Sequence, residues 1–388
     1  MEETAMAESV LILGGGVGGL VAANELRKRL PKEHRVTLVD REASFVFTPS
    51  FLWMLIGDRT AEKISRPLAR LEKKGIEVVR GEIQRIDPER REAAVDGRTL
   101  AGDYLVLALG AELAPDAIPG LREAGHNFYT LRGAESFRDA FASFGGGKIV
   151  VLTAAPAYKC PAAPYEAAML IEYACRKRKI RERTQIDLYA AEPGPMGVVG
   201  PEGSKAVRQM VESKGIAYHP EHQITEADPA ARRLKFAGGA ETTYNLLAYV
   251  PPHRAPRVVR ESGLAGESGW IAVDRHTMQT RHERVYALGD VVSIPLTLGK
   301  PLPKAGVFAH AEAEAVAKSI AHAVTGKGKP AAFDGEGACF IETGDGKAAL
   351  GKGNFYAEPV PQVKMHAPGR HWHAGKVLFE KDWLRRWF

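Results

Sequence analysis

The stretch Ser9-Val10-Leu11-Ile12-Leu13-Gly14-Gly15-Gly16-Val17-Gly18-Gly19 decides the fold. A short apolar, β-branched strand runs into a glycine turn, and the pattern from Leu20 to Leu30 is helical. Gly14 permits the tight reversal, Gly16 lets a pyrophosphate approach the backbone, and Gly19 lets the helix pack closely on the strand. The helix N-terminus adds amide donors and the positive end of its dipole. A second strand, Arg35-Val36-Thr37-Leu38-Val39, ends at Asp40, about twenty residues beyond the last glycine, where an acid bonds the ribose hydroxyl of an adenine dinucleotide. Strand, turn, helix, strand and acid, all in register, predict a dinucleotide-binding fold of the α/β class.

Composition sets the limits around this motif. With 388 residues, 45% hydrophobic and 26% charged, the chain can bury two or three cores of ordinary domain size. No run approaches the ~20 apolar residues of a spanning helix, and the first ten residues carry acids where a signal peptide has a basic start. Cytoplasmic synthesis without a signal peptide is the expectation. The net charge of +6 is spread along the chain apart from clusters such as Arg176-Lys177-Arg178-Lys179, which favours anionic partners or membrane lipids over nucleic acid. Three cysteines, Cys160, Cys175 and Cys339, are too few and too far apart for a disulfide scaffold or a zinc cluster. Cys175 lies in the apolar helix stripe of Met169, Ile171 and Tyr173 and reads as a small buried hydrophobe. His366, His371 and His373 have loop spacing and no Cys or acid partners, so no metal is expected.

Two later segments choose between dinucleotides. Asp103-Tyr104-Leu105-Val106-Leu107-Ala108-Leu109-Gly110 and Val285-Tyr286-Ala287-Leu288-Gly289-Asp290 are both strands ending in glycine. With the opening turn they resemble, in order, the flavin-domain motifs of the pyridine nucleotide-disulfide oxidoreductase superfamily. That resemblance implies FAD, with Gly14, Gly16, Gly19, Asp40, Gly110, Gly289 and Asp290 as cofactor-binding residues and the Asp290 acid at the ribityl and pyrophosphate region. It also implies an interrupted plan of two Rossmann-like domains. Residues 1–115 and 250–325 form the FAD domain, residues 116–249 an inserted second domain, and residues 326–388 a small C-terminal α+β domain.

The insert departs from an NADH-binding domain. Its strand Lys148-Ile149-Val150-Val151-Leu152 runs into Thr153-Ala154-Ala155-Pro156-Ala157-Tyr158-Lys159-Cys160-Pro161, where prolines and alanines replace the glycines that let a phosphate touch the backbone. NADH is therefore not expected as the donor. The helix predicted from about Pro161 to Lys179 puts Cys160 at its N-terminal end, where the dipole and Lys159 favour a thiolate.

These residues narrow the resemblance to sulfide:quinone oxidoreductases and the flavoprotein subunit of flavocytochrome c sulfide dehydrogenase. It is carried by Lys159-Cys160-Pro161 with Ala163-Pro164, Gly289-Asp290, Leu302-Pro303-Lys304-Ala305-Gly306, Cys339, and the ending Gly375-Lys376-Val377-Leu378-Phe379-Glu380-Lys381. The resemblance implies that Cys160 and Cys339 are the redox pair beside the flavin, that sulfide or a small thiol is the donor, and that a quinone is the acceptor. Many members have a third active cysteine where this chain has Asn127-Phe128-Tyr129-Thr130.

Supporting roles follow from side-chain chemistry. Lys304 opens a helix, roughly Ala305 to Val324, and is expected to stabilise the anionic reduced flavin, as well as to help bind it. Glu166, one turn beyond Cys160, is a candidate to move protons for bound sulfide. His310 reads as a helix-surface residue rather than a base. Trp383, Leu384, Trp387 and Phe388 share one helical side opposite two arginines, as in an interfacial anchor for a peripheral membrane protein, in a domain cap or in a homo-oligomer contact. Phe340, Phe355 and Tyr356 read as core more readily than as a quinone pocket. Three other functions stay open at this point: a flavocytochrome-type subunit, a type II NADH dehydrogenase, and a flavin redox sensor without turnover.

Overall fold

The computed structural model describes residues 7–388; Glu2 and Glu3, part of the acidic start, lie outside the described residues. Two parallel five-stranded sheets organise the chain. The first has the order Val285–Ala287, Tyr104–Leu107, Ser9–Leu13, Arg35–Asp40, Glu77–Arg80. The second has the order His126–Asn127, Leu246–Val250, Gly147–Thr153, Thr184–Ala190, Ala217–His219. Every neighbouring pair in both sheets is parallel. Parallel sheets are covered on both faces, so their central strands are unbroken apolar runs: Val10 to Leu13 and Ile149 to Leu152 are each at most 1% exposed. The strand Val285–Ala287 returns to the first sheet after the whole second sheet has been built. One Rossmann-like unit interrupted by another is thus the observed topology.

In each sheet the chain leaves the central strand toward one side and later pairs on the other. A crevice opens at the carboxyl ends of the strands where the direction changes, the usual place for a ligand. Two such crevices exist here, one beyond Leu13 and one beyond Thr153.

The C-terminal piece is a three-stranded antiparallel sheet, Glu336–Gly344, Lys347–Asn354 and Gln362–Gly369, followed by the helix Arg370–Arg386. The segment Lys376-Val377-Leu378-Phe379-Glu380 lies inside that helix. A five-residue window cannot separate a period of 2 from one of 3.6, and the buried set Lys376, Glu380, Trp383 and Leu384 follows the helical period. The anchor reading of the last residues is corrected. Trp383, Leu384 and Trp387 are 2–4% exposed, and Trp383 stacks on Phe45 of the first domain at 4.9 Å. These rings close the C-terminal helix onto the rest of the chain. His310 belongs to the same seam, half-buried rather than on the surface, with Trp383 Nε1 donating to its Nδ1 at 3.4 Å. Phe355 packs on Phe308 at 5.0 Å and Tyr356 on Phe333 at 5.3 Å, both as core. No described helix is long and apolar enough to cross a membrane.

Candidate active site

A cavity of about 860 Å³ begins in the first crevice and runs to the start of the second domain's helix Ala163–Lys177. That volume suits a whole cofactor. One end is walled by Gly14, Gly16 and Asp40, the middle by Gly110, Gly289 and Asp290, and the other end by Tyr129, Lys159 and Cys160.

The glycine turn is shaped for a ligand. Gly14 has φ +105°, and a Cβ there would stand 2.4 Å from the Ala108 carbonyl oxygen. At Gly19 a Cβ would meet the Gly14 oxygen at 1.8 Å, so helix and strand pack at a distance that only glycine allows. At Gly16 a Cβ would meet nothing within 4 Å, because this backbone faces the cavity. Asp40 accepts the Gly15 amide at 2.5 Å on Oδ2 and the Glu42 amide at 2.7 Å on Oδ1, which fixes its carboxylate at the cavity edge. Open space beside bare backbone, an oriented acid and a helix N-terminus fit a dinucleotide pyrophosphate and ribose.

Cys160 stands on the far wall, half-buried, in the left-handed conformation at φ +49°. Its amide donates to the Lys304 carbonyl at 2.6 Å, and its carbonyl accepts the Tyr129 hydroxyl at 3.1 Å. The helix begins at Ala163, three residues later. Burial pushes the Cys160 thiol well above its usual range, and the nearby Cys339 and Glu166 push the same way while Lys376 opposes them. The expected dipole-driven thiolate is therefore corrected: desolvation outweighs the helix end. Cys339 sits on the strand Glu336–Gly344, opposite Gly351, and does not line the cavity. Burial raises its thiol to about 12, with Glu166 adding and Lys376 opposing. Both thiols are free, and both feel the same buried ion pair.

That pair is Glu166 and Lys376. Glu166 is 2% exposed, bonds Lys376 Nζ at 2.6 Å and accepts the Glu342 amide at 2.8 Å. Burial raises its carboxyl above the usual range against the pull of Lys376. Glu342 in turn holds His373 Nδ1 at 3.0 Å, which gives one histidine of the C-terminal cluster a carboxylate hydrogen-bond partner. The sequence marks Glu166 on the helix after Cys160 and Lys376 within the ending that carries the resemblance, but not their pairing or the Glu342 and His373 contacts, since the partners lie far apart along the chain. Among the described residues no group of three His, Cys, Asp or Glu is arranged to hold a metal.

Lys304 differs from expectation. It precedes the helix Gly306–Thr325, is 8% exposed, and its Nζ donates to the carbonyls of Asp290 at 2.8 Å and Val292 at 2.7 Å. The ammonium also lies 3.6 Å from the Trp270 ring centroid. Lys304 lines the cavity, its ammonium braces the Gly289-Asp290 turn through those two carbonyls, and burial lowers its pKa to about 8.

The family model for pyridine nucleotide-disulphide oxidoreductases matches residues 8–319. The chain belongs to this family. Among curated proteins, this oxidoreductase is 28% identical to the sulfide-quinone reductase of Aquifex aeolicus over 98% of its own length and 91% of that protein. It is 24% identical to the mitochondrial sulfide:quinone oxidoreductase of Mus musculus, over 90% and 79% of the two chains. The X-ray structure of the Aquifex aeolicus sulfide:quinone oxidoreductase superposes with a TM-score of 0.88 at 26% identity, covering 98% of this chain and 91% of that one.

Proposed function

We propose that this oxidoreductase binds FAD, oxidises sulfide through Cys160 and Cys339, and passes the electrons to a quinone. The observation that carries the reading is the position of Cys160, which shares one cavity with the glycine turn and the Gly289-Asp290 turn. Gly14, Gly16, Asp40, Gly110 and Asp290 would hold the cofactor. FAD supplies two-electron acceptance from a thiolate and donation to a quinone.

The chain's own groups handle sulfur and protons. In the oxidised pair, hydrosulfide attacks the Cys160–Cys339 bond; one sulfur keeps the new S–S bond as a persulfide and the other leaves as a thiolate. Burial disfavours that anion, so it needs the one cation that opposes the shift at both cysteines, Lys376. Glu166, held by Lys376, is placed to exchange the proton. Tyr129, within the segment 127–130 where many relatives have a third cysteine, fixes the Cys160 backbone through its hydroxyl, and the segment has no sulfur to supply, which supports a two-cysteine route. For the acceptor, the C-terminal helix exposes Leu378 at 66% and Phe379 at 47%, and Val360 is 56% exposed in the connection between the strands Lys347–Asn354 and Gln362–Gly369. This is the face assigned to the bilayer where a quinone resides.

The test is anaerobic mixing of the purified yellow protein with sodium sulfide or NADH, followed by a short-chain quinone. Sulfide should bleach the flavin and quinone restore it, with no response in Cys160→Ser and a crippled one in Cys339→Ser. Bleaching by NADH alone, or undiminished sulfide bleaching in both variants, overturns the reading.

A further inference from the structure

Beside Gly289 lies a second, small space of about 10 Å³, enough for about one water. Its walls include Val292, Leu302, Phe308 and Glu312. Gly289, Lys304 and Ala305 line both this space and the large cavity and so form a wall common to the two. Glu312 is 1% exposed and makes no ion pair among the described residues; its Oε2 accepts the Gly289 amide at 2.6 Å. An ionised carboxylate has about four acceptor positions, so one amide leaves it under-satisfied in a buried place. The nearest cation, Lys304, is already bonded to two carbonyls.

We propose that Glu312 is a proton acceptor coupled to the large cavity: it takes up one proton when the flavin bound there gains two electrons. The inference rests on the FAD reading above. The electrons come from the reductant and the proton from solvent; an O–H bond forms on the carboxyl and none breaks in the protein. A like charge arriving across the common wall favours the neutral carboxyl. The groups that face Glu312 are Asp290 and Lys304 beside the turn and Tyr356 from the C-terminal piece. Glu25, on the helix packed against this one, is tied to Arg29 at 2.5 Å instead. Burial raises Glu312 to about 7, with Asp290 adding, and with the Gly289 amide and Lys304 opposing. Above about pH 7 the oxidised protein therefore has an ionised Glu312 ready to be protonated; as pH falls below that value it is already neutral and the uptake disappears.

Infrared difference spectra, reduced minus oxidised, test this on the flavin-loaded protein. Photoreduction replaces sulfide as the electron source, so a protein inert to sulfide still answers. A protonated-carboxyl band should appear on reduction on the alkaline side of neutrality, weaken on the acid side, and be absent in Glu312→Gln. A band that survives that substitution, or wild type without one, overturns the proposal. If Glu312→Gln does not retain flavin, Glu312→Asp takes its place, and an unshifted band is the overturning result.

Discussion

The turn after Ser9–Leu13 and the turn after Gly147–Thr153 occupy the same place in two sheets of the same topology. In the first, the acid at the end of the next strand, Asp40, reaches back to the Gly15 amide and leaves Gly16 facing open space. In the second, Glu192, just beyond the strand Thr184–Ala190, also reaches back. It accepts from Thr153 Oγ1 at 3.0 Å and from the Tyr158 hydroxyl at 2.5 Å. Tyr158 is 6% exposed, so an aromatic ring is packed into a turn that in the first domain is bare backbone. Burial raises both the Tyr158 hydroxyl and the Glu192 carboxyl. The same fold thus yields a ligand cradle in one copy and a plugged crevice presenting a cysteine in the other. Side-chain volume at the turn, not strand order, makes the difference.

The sharpest way to break that contrast is to fill the cradle. Gly16→Val places its Cβ where no protein atom lies within 4 Å, so the chain should fold, purify colourless and melt at the temperature of flavin-free wild type, since a ligand bound to the native state raises that temperature. A yellow Gly16→Val protein would mean the cofactor lies elsewhere. Next in size is Lys376→Met, which leaves Glu166 buried without its cation and should lower stability by about 3–5 kcal/mol in urea unfolding. Since burial raises the Glu166 carboxyl, protonation removes the unpaired charge, and the loss should shrink as pH falls. A loss that does not change with pH would show that the charge is not the cause.

Tyr158→Phe tests the plug itself. It removes one donor from a half-buried carboxylate and should lower stability by about 1–2 kcal/mol, more at high pH, where Glu192 is ionised. The smallest expected effect is none: NADH added anaerobically to wild type should leave the flavin spectrum unchanged. A spectral response would show that a nicotinamide dinucleotide reaches the flavin despite Tyr158 and Glu192.

Much of the architecture was legible because it rests on local signals. Gly14, Gly16, Gly19 and Asp40 declare the first crevice through spacing alone, and the glycine-ended strands before Gly110 and Gly289 carry the resemblance that implies the interrupted first domain. Cys160 was legible as a wall residue because it stands where a phosphate turn is missing. Its protonation was not, because a helix dipole can be read from sequence while burial cannot, and burial is the larger effect here. The aromatic end shows the same limit. Trp383 and Trp387 have the spacing of an interfacial helix, but the same spacing serves a helix that packs on Phe45 and Phe47.

By itself the sequence determined the parallel α/β plan, the dinucleotide turn, the loss of that turn in the inserted domain, and the cysteine that replaces it. These depend on backbone periodicity and on residues only a few positions apart. Tertiary structure alone decided which charges meet. Glu166 finds Lys376 across 210 positions, and Glu312 finds the Gly289 amide across 23. Desolvation then sets their protonation, and desolvation belongs to the packed molecule rather than to any segment of the chain.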